Sequence, residues 1–250
     1  MNAKSNWWEN FFEGLVVDFW RAVHTEEETR VEADSLERLL SVRASGCILD
    51  VPCGDGRLAL ALGARGYAMT GVDISAGFLE AARAQAAERR LSIAWRQGDM
   101  RYLPWEGKFD GAFCAGSSFG YFDDAGSEAF LEAVSRALKP GASFVLETGW
   151  AVESLLPGFR DRIEAEISGI RFLAENRYVP ESGRVENRFT ISKGEKVQSQ
   201  LASHRAYTYR EIARLLERAG FRDLEGFGGF SGEPFRLGSP KLVLLARKGK

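Results

Sequence analysis

The chain has 250 residues, enough to bury roughly three quarters of the surface its unfolded form exposes, so a large α/β domain with an addition needs no covalent staples. The net charge is −2, with basic and acidic residues interspersed from end to end, which leaves no basic face for nucleic acid or an anionic membrane. Three scattered cysteines without metal-ligand spacing argue against a metal and for a reducing compartment; with no apolar stretch of membrane-spanning length and no signal peptide, a cytoplasmic protein is expected.

Trp7, Trp8, Phe11, Phe12, Leu15, Val16, Phe19 and Trp20 recur at three- and four-residue spacing and predict one aromatic amphipathic helix, either packed on the core or lidding a cleft. Thr25-Glu26-Glu27-Glu28 reads as a capping box that opens a second helix through Leu40. These two helices make an N-terminal cap over residues 1–45.

Cys47 to Ala59 runs from an apolar strand through a small-residue turn into a helical pattern. Asp50 closes the strand, and Gly54 and Gly56 let backbone approach a ligand that a Cβ atom would push away. The next apolar run, Tyr67 to Asp73, ends in a carboxylate where such folds hold the ribose hydroxyls of a nucleotide. Ser75 caps a helix to about Arg90, and a third strand, Ser92 to Arg96, precedes Gly98-Asp99-Met100. The fourth strand, Lys108 to Phe113, leads into the small-residue stretch Cys114-Ala115-Gly116-Ser117-Ser118, followed by a helix from about Ser127 to Leu138. Leu138 to Ala142 then turns into a fifth strand, Ser143 to Glu147. Strands alternating with helices predict a doubly wound parallel sheet.

After Trp150 this rhythm stops. Arg171–Tyr178, Arg184–Ser192 and Lys196–Tyr207 have period-two character, separated by Pro180-Glu181-Ser182-Gly183 and Lys193-Gly194-Glu195. They predict an antiparallel meander, residues 151–207, inserted where it overhangs the cleft, as a substrate lid or a homodimer surface. A second capping box, Thr208 to Glu211, starts a helix with a stripe of Ile212, Leu215, Leu216 and Ala219 that ends at Gly220, and two strands follow, about Leu224–Phe227 and Leu242–Ala246.

The glycine spacing Gly54-x-Gly56-x-x-Ala59 also fits a dinucleotide fingerprint. Asp50, placed to meet a cationic amino group, Asp99 beside an apolar face, and the Lys139-Pro140-Gly141 turn favour another ligand. Together these residues resemble the class I S-adenosylmethionine-dependent methyltransferases from about Gly46 to Thr148 and again from Thr208 to the C-terminus. The D-x-G-x-G-x-G loop of that family matches Asp50 to Gly56, with Pro52 replacing the first glycine and removing one N–H. The resemblance implies a Rossmann-like seven-stranded sheet with its last strand antiparallel, its core split between residues 46–150 and 208–250. It also implies S-adenosylmethionine as cofactor, held by the loop that contains Asp50, Cys53, Gly54 and Gly56. Asp73 is then implied on the ribose, Ile74 and Met100 beside the adenine, Asp99 on its amino group, and Cys114, Ala115 and Gly116 near the methionine part.

Methyl transfer from a sulfonium needs no metal, and a base only if the acceptor must lose a proton. His24, His204, Tyr121 and Glu147 are candidates, none assigned; His24 at a helix C-terminus and the tyrosine read more simply as structural residues. No Asn/Asp-Pro-Pro-aromatic turn follows the fourth strand, and the one Pro-Cys dipeptide, Pro52-Cys53, belongs to the glycine loop. The expectation is methyl transfer to nitrogen or oxygen of a small molecule. A nicotinamide-dependent oxidoreductase and a non-catalytic module that binds the sulfonium cofactor are the alternatives.

Overall fold

The structure, a computed structural model, describes residues 6–250; the first five residues of the expected N-terminal cap lie outside them. Seven strands form one sheet in the order β10 (Phe221–Phe227), β11 (Leu242–Lys248), β5 (Leu138–Thr148), β4 (Phe109–Cys114), β1 (Cys47–Asp50), β2 (Ala68–Asp73), β3 (Ala94–Gln97). From β5 to β3 every pair is parallel, whereas β11 is antiparallel to both neighbours. The Rossmann-like arrangement expected from the sequence is therefore present, last strand included.

The strands read as near-continuous apolar runs because helices cover both faces. Side chains alternate between two layers. Ile48, Phe113, Val145 and Val243 pack with α2 (Glu26–Leu40) and α3 (Arg57–Ala64). Leu49, Ala112, Phe144 and Leu244 pack with α5 (Asp124–Ala137) and α7 (Tyr209–Arg218). Phe109, Phe113, Phe144 and Phe221 are fully buried, each contributing about 1.5–3 kcal/mol by leaving water. Both capping boxes form, Thr25 with Glu28 on α2 and Thr208 with Glu211 on α7. Because the chain leaves β1 toward β2 on one flank and returns as β4 on the other, a crevice opens at the carboxyl ends of the strands.

The N-terminal segment departs from the single helix its periodicity predicts. Trp7–Glu9 is one 3₁₀ turn, and α1 begins only at Leu15 and ends at Val23. Gly14 between them has φ 55°, and Gln198 from the second sheet donates to the Glu13 carbonyl (3.1 Å) while accepting from Leu15 N–H (2.9 Å). That side chain takes over backbone groups a continuous helix would have paired. The aromatic residues keep their inward faces across the break: Trp7, Trp8, Phe11 and Phe19 are all buried.

Helix α5 starts at Asp124, three residues earlier than its apolar stripe, because Asp123 accepts from Gly126 N–H (2.8 Å) as the N-cap. The turn expected at Leu138 to Ala142 is part of β5; Leu138 pairs with Phe109 before a register shift, and Ser143 pairs with Gly111 after it.

The insert is a separate antiparallel sheet of four strands rather than three: β6 (Arg162–Ile167), β7 (Ile170–Val179), β8 (Arg184–Lys193) and β9 (Lys196–Arg205), preceded by the short α6 (Val152–Leu155). Edge strand β6 is almost wholly exposed, although Ile163, Ala165 and Ile167 alternate along it with Arg162, Glu164 and Glu166. The sheet is tied to the core through Arg205 N–H to the Gly120 carbonyl (2.7 Å) and Arg184, whose guanidinium donates to the carbonyls of Tyr121 (3.1 Å) and Phe122 (2.9 Å). Phe19 of α1 stacks on Phe172 of β7, centroids 4.5 Å apart. Among the described residues no helix is long and apolar enough to cross a membrane.

Candidate active site

At the crevice lies a cavity of about 440 Å³, within the range of small-ligand sites. Its floor is the turn after β1. Val51 N–H bonds the Phe113 carbonyl (3.0 Å) and Cys53 N–H the Val72 carbonyl (2.9 Å), which suspends the turn between β4 and β2. Gly54 follows with φ 54° and nothing within 4 Å of where a Cβ would stand, so its backbone is open to a ligand.

Four carboxylates, Asp50, Asp55, Asp73 and Asp99, line this part of the cavity. Asp73, at the end of β2, accepts from Gly54 N–H and Ser75 N–H, both at 2.8 Å; burial pushes its pKa up to about 6, against those backbone hydrogen bonds. It thus shapes the glycine turn as well as facing the cavity. Asp50 is 2% exposed and its Oδ2 has no hydrogen-bond partner. Burial raises its pKa well above the ordinary value; the Arg57 charge works against this and Asp73 adds to it. Asp99 lines the cavity beside buried Met100 and partly buried Ile74. Its oxygens already accept from Arg101, at 2.8 Å from the backbone and 2.5 Å from Nη2, a partner the sequence did not announce.

Cys53, Ala115 and Gly116 also line the cavity, but Gly56 and Cys114 do not. A Cβ on Gly56 would stand 2.4 Å from Trp95, and one on Gly71 would stand 2.5 Å from the same ring. Gly56 therefore makes room for an indole under the turn. Cys114 is fully buried in the layer facing α5 and α7, and burial drives its thiol pKa well up.

The other wall is aromatic and comes from distant parts of the chain. Trp7, Trp8, Phe11, Phe12 and Trp20 arrive from the N-terminal segment, Tyr121, Phe122 and Trp150 from the core loops, and Phe189 and His204 from the second sheet. The rings meet edge to face: Trp7 with Phe11 at 5.0 Å, Trp7 with Tyr121 at 4.9 Å, Phe11 with Phe189 at 5.7 Å, the arrangement ring quadrupoles favour. The N-terminal segment is thus lid and core at once. The indole N–H groups of Trp8 and Trp20 are buried without partners.

The four candidate bases separate clearly. Glu147, 1% exposed at the end of β5, accepts from Gly116 N–H (2.7 Å) and Ser117 N–H (3.0 Å), and Lys241 stands 3.2 Å from its other oxygen. It is a clamp on the loop after β4. Tyr121 sits among Trp7, Phe12 and His204, and burial moves its phenol pKa upward. His24, read from sequence as a solvated helix end, instead lines the cavity, its pKa lowered by burial and then by Arg57. His204 is 5% exposed and reaches the cavity from β9. Arg57 and Lys241, both in the lining, went unnoticed in the sequence; Arg57 pairs with Glu32 at 2.5 Å. Only their spacing after the glycine turn and before the last strand could have flagged them.

Residues 48–141 match a family described as a methyltransferase domain. The ubiquinone biosynthesis O-methyltransferase of Alkalilimnicola ehrlichii is 30% identical over 148 residues, 58% of this chain and 56% of that one. The chain thus spans little more than half the length of that curated relative. An S-adenosylmethionine-dependent methyltransferase from Clostridium acetobutylicum ATCC 824 superposes with a TM-score of 0.80 at 20% identity, covering 96% of this chain and 99% of that one. CalS10 from Micromonospora echinaspora, an amino pentose methyltransferase solved with S-adenosylmethionine bound, gives 0.68 at 21% identity over 96% and 98%. Residues 48–141 thus carry a methyltransferase domain, and the chain as a whole has the fold of solved S-adenosylmethionine-dependent methyltransferases.

The residues present fit that cofactor. The Oδ2 of Asp50 lacks a donor, and the ammonium of a methionyl group supplies one that also carries a positive charge. A pyrophosphate would instead add negative charge beside Asp50, Asp55 and Asp73, all in the lining.

Proposed function

We propose that this protein transfers the methyl group of S-adenosylmethionine to a nitrogen or oxygen of a small-molecule acceptor. The observation that carries the reading is the buried, unpartnered Asp50 carboxylate oxygen in a cavity whose opposite wall is aromatic. Asp50 would hold the cofactor's amino group, the Gly54 backbone its methionyl chain, Asp73 the ribose, and Ile74 and Met100 the adenine faces, with Asp99 beside its edge. Ala115 and Gly116 would pass near the sulfur; Gly56 and Cys114 support from behind.

The bound cofactor supplies an electrophilic methyl group on a sulfonium whose leaving thioether is neutral. The protein's part is then to orient the acceptor and exclude water, worth up to about 7–11 kcal/mol when alignment is good. Trp7, Tyr121, Trp150 and Phe189 form a dry wall suited to that task. Because Phe189 and His204 of residues 151–207 reach this wall, we assign the insert to acceptor selection rather than to a dimer surface, with residues 1–45 closing the same side and the core comprising residues 46–150 and 208–250. The similarity to an O-methyltransferase over 148 residues supports oxygen as an accepting atom.

The test is transfer of radiolabelled methyl from S-adenosylmethionine to a panel of small hydroxyl and amine compounds. Label should appear in at least one product and be lost in Asp50→Asn. Tight cofactor binding without transfer to any panel member would favour a non-catalytic binding module.

A further inference from the structure

A chain of side-chain hydrogen bonds runs across the strands of the second sheet, from β7 through β8 to β9, and reaches the aromatic wall, and its direction is fixed by its first link. Asn176 Nδ2 lies 2.9 Å from the Arg160 carbonyl, which can only accept. The other amide atom of Asn176 is therefore its oxygen, and it accepts from Asn187 Nδ2 at 2.7 Å. Asn187 Oδ1 is then left facing His204 Nδ1 at 2.8 Å. An amide oxygen only accepts, so the imidazole proton sits on Nδ1 and the lone pair on Nε2. Asn176 and Asn187 are direct partners across β7 and β8, and Asn187 is 2% exposed, so register and burial hold the relay.

The ring it ends on is pinned from three sides. Trp150 stacks on His204 with centroids 4.0 Å apart and planes at 13°, while Trp7 (4.9 Å) and Tyr121 (5.5 Å) meet its ring edge to face. Two of these are fixed in turn, Trp150 Nε1–H to the Ser117 carbonyl (2.9 Å) and Trp7 Nε1–H to the Ser203 carbonyl (3.0 Å). Among the described residues Nε2 has no hydrogen-bond partner, and the residue lines the cavity. Burial, and then the Arg184 charge, lower the imidazole pKa to about 3, so the ring is neutral at ordinary pH.

We propose that His204 Nε2 is the specificity-determining hydrogen-bond acceptor of the acceptor subsite, selecting an uncharged planar ring that carries an N–H or O–H. Flat aromatic faces take the ring, and a substrate lacking the donor leaves a buried lone pair unpaired. A donor group held by a fixed imidazole is also oriented. The inference rests on the methyltransferase reading for the cavity's role as an acceptor site.

Long-range ¹⁵N–¹H NMR tests the tautomer on the intact protein. The chain has two histidines, and His24→Gln assigns them. His204 should show a protonated Nδ1 and a bare Nε2; a protonated Nε2 overturns the proposal. On protein saturated with S-adenosylhomocysteine, 2-naphthol should bind at least about tenfold tighter than 2-methoxynaphthalene, and His204→Phe should erase the difference. Equal binding of the pair to the unsubstituted protein, or no binding of 2-naphthol, also overturns it. Titration of S-adenosylhomocysteine on the same sample separates the two levels: its failure to bind sinks the methyltransferase reading, whereas normal binding with no donor preference sinks only this one.

Discussion

The two ends of the cavity are built on opposite plans. At one end, backbone and carboxylates of consecutive parallel strands converge within a short stretch: Asp50 closes β1, Gly54 lies in the following turn, and Asp73 closes β2 and fastens that turn. At the other, aromatic side chains from the N-terminal segment, the core loops and the second sheet meet across the whole length of the chain, as Trp7 does with Ser203. A ligand of constant structure can be met by a local, polar device. A variable one is met by a surface that distant segments can alter without disturbing the turn.

Glu147 joins the two plans, and its removal should have the largest effect. It holds the backbone of Gly116 and Ser117, and the Ser117 carbonyl holds Trp150, on which His204 stacks. Glu147→Ala leaves Lys241 without one of its two carboxylates and strands the buried loop donors, so unfolding in urea should show a loss of about 3–5 kcal/mol.

Asp50→Asn should sharpen the contrast by moving affinity and stability in opposite directions. It replaces a buried carboxyl whose Oδ2 has no hydrogen-bond partner and whose ionisation burial opposes, so the protein without cofactor should melt about 2–4 °C higher for each kcal/mol gained. Cofactor binding should meanwhile weaken by about 1–3 kcal/mol, the cost of losing a charge-assisted contact. Differential scanning calorimetry with and without S-adenosylhomocysteine reads both.

The two glycines of the turn should separate as well. Gly56→Ala drives a methyl into Trp95 at a position with φ 78° and should cost about 1–3 kcal/mol of stability. Gly54→Ala meets open space, costs about 1 kcal/mol for its positive φ, and should show its main effect in cofactor affinity. Equal behaviour of the two in paired melting and binding measurements would break the distinction.

The most gradual effect is one of pH. Asp73 titrates at about 6 in the fold against 3.8 ordinarily, so between these values the folded protein holds a proton that the unfolded chain has lost. Stability without cofactor should therefore fall as pH rises through that window, by up to about 1.4 kcal/mol per pH unit from this group, and level off above it. Urea midpoints across the window should change less steeply in Asp73→Asn.

The same contrast decides what the sequence disclosed. Asp50 and Asp73 were legible because a strand-ending carboxylate and a glycine turn are local signals, and both capping boxes formed for the same reason. A doubly wound parallel sheet followed from alternation of apolar runs with helices. What stayed hidden depended on partners far away in the chain. Gly14 interrupts the aromatic helix because Gln198 takes its backbone bonds, Gly56 serves Trp95, and Asp99 is engaged by Arg101. His24 was read as a solvated helix end because nothing local shows that Arg57 and the cavity lie beside it. Edge strand β6 is the exception: Ile163, Ala165 and Ile167 alternate with charged residues, a local signal that was present and went unread.

Calorimetric titration of S-adenosylhomocysteine and of NADH into the protein and into Asp50→Asn measures the central claim most directly. The account predicts that the unsubstituted protein binds the homocysteine ligand and not the dinucleotide, and that the substitution weakens binding by about tenfold or more. Binding of NADH in its place, or undiminished affinity in folded Asp50→Asn, would contradict it.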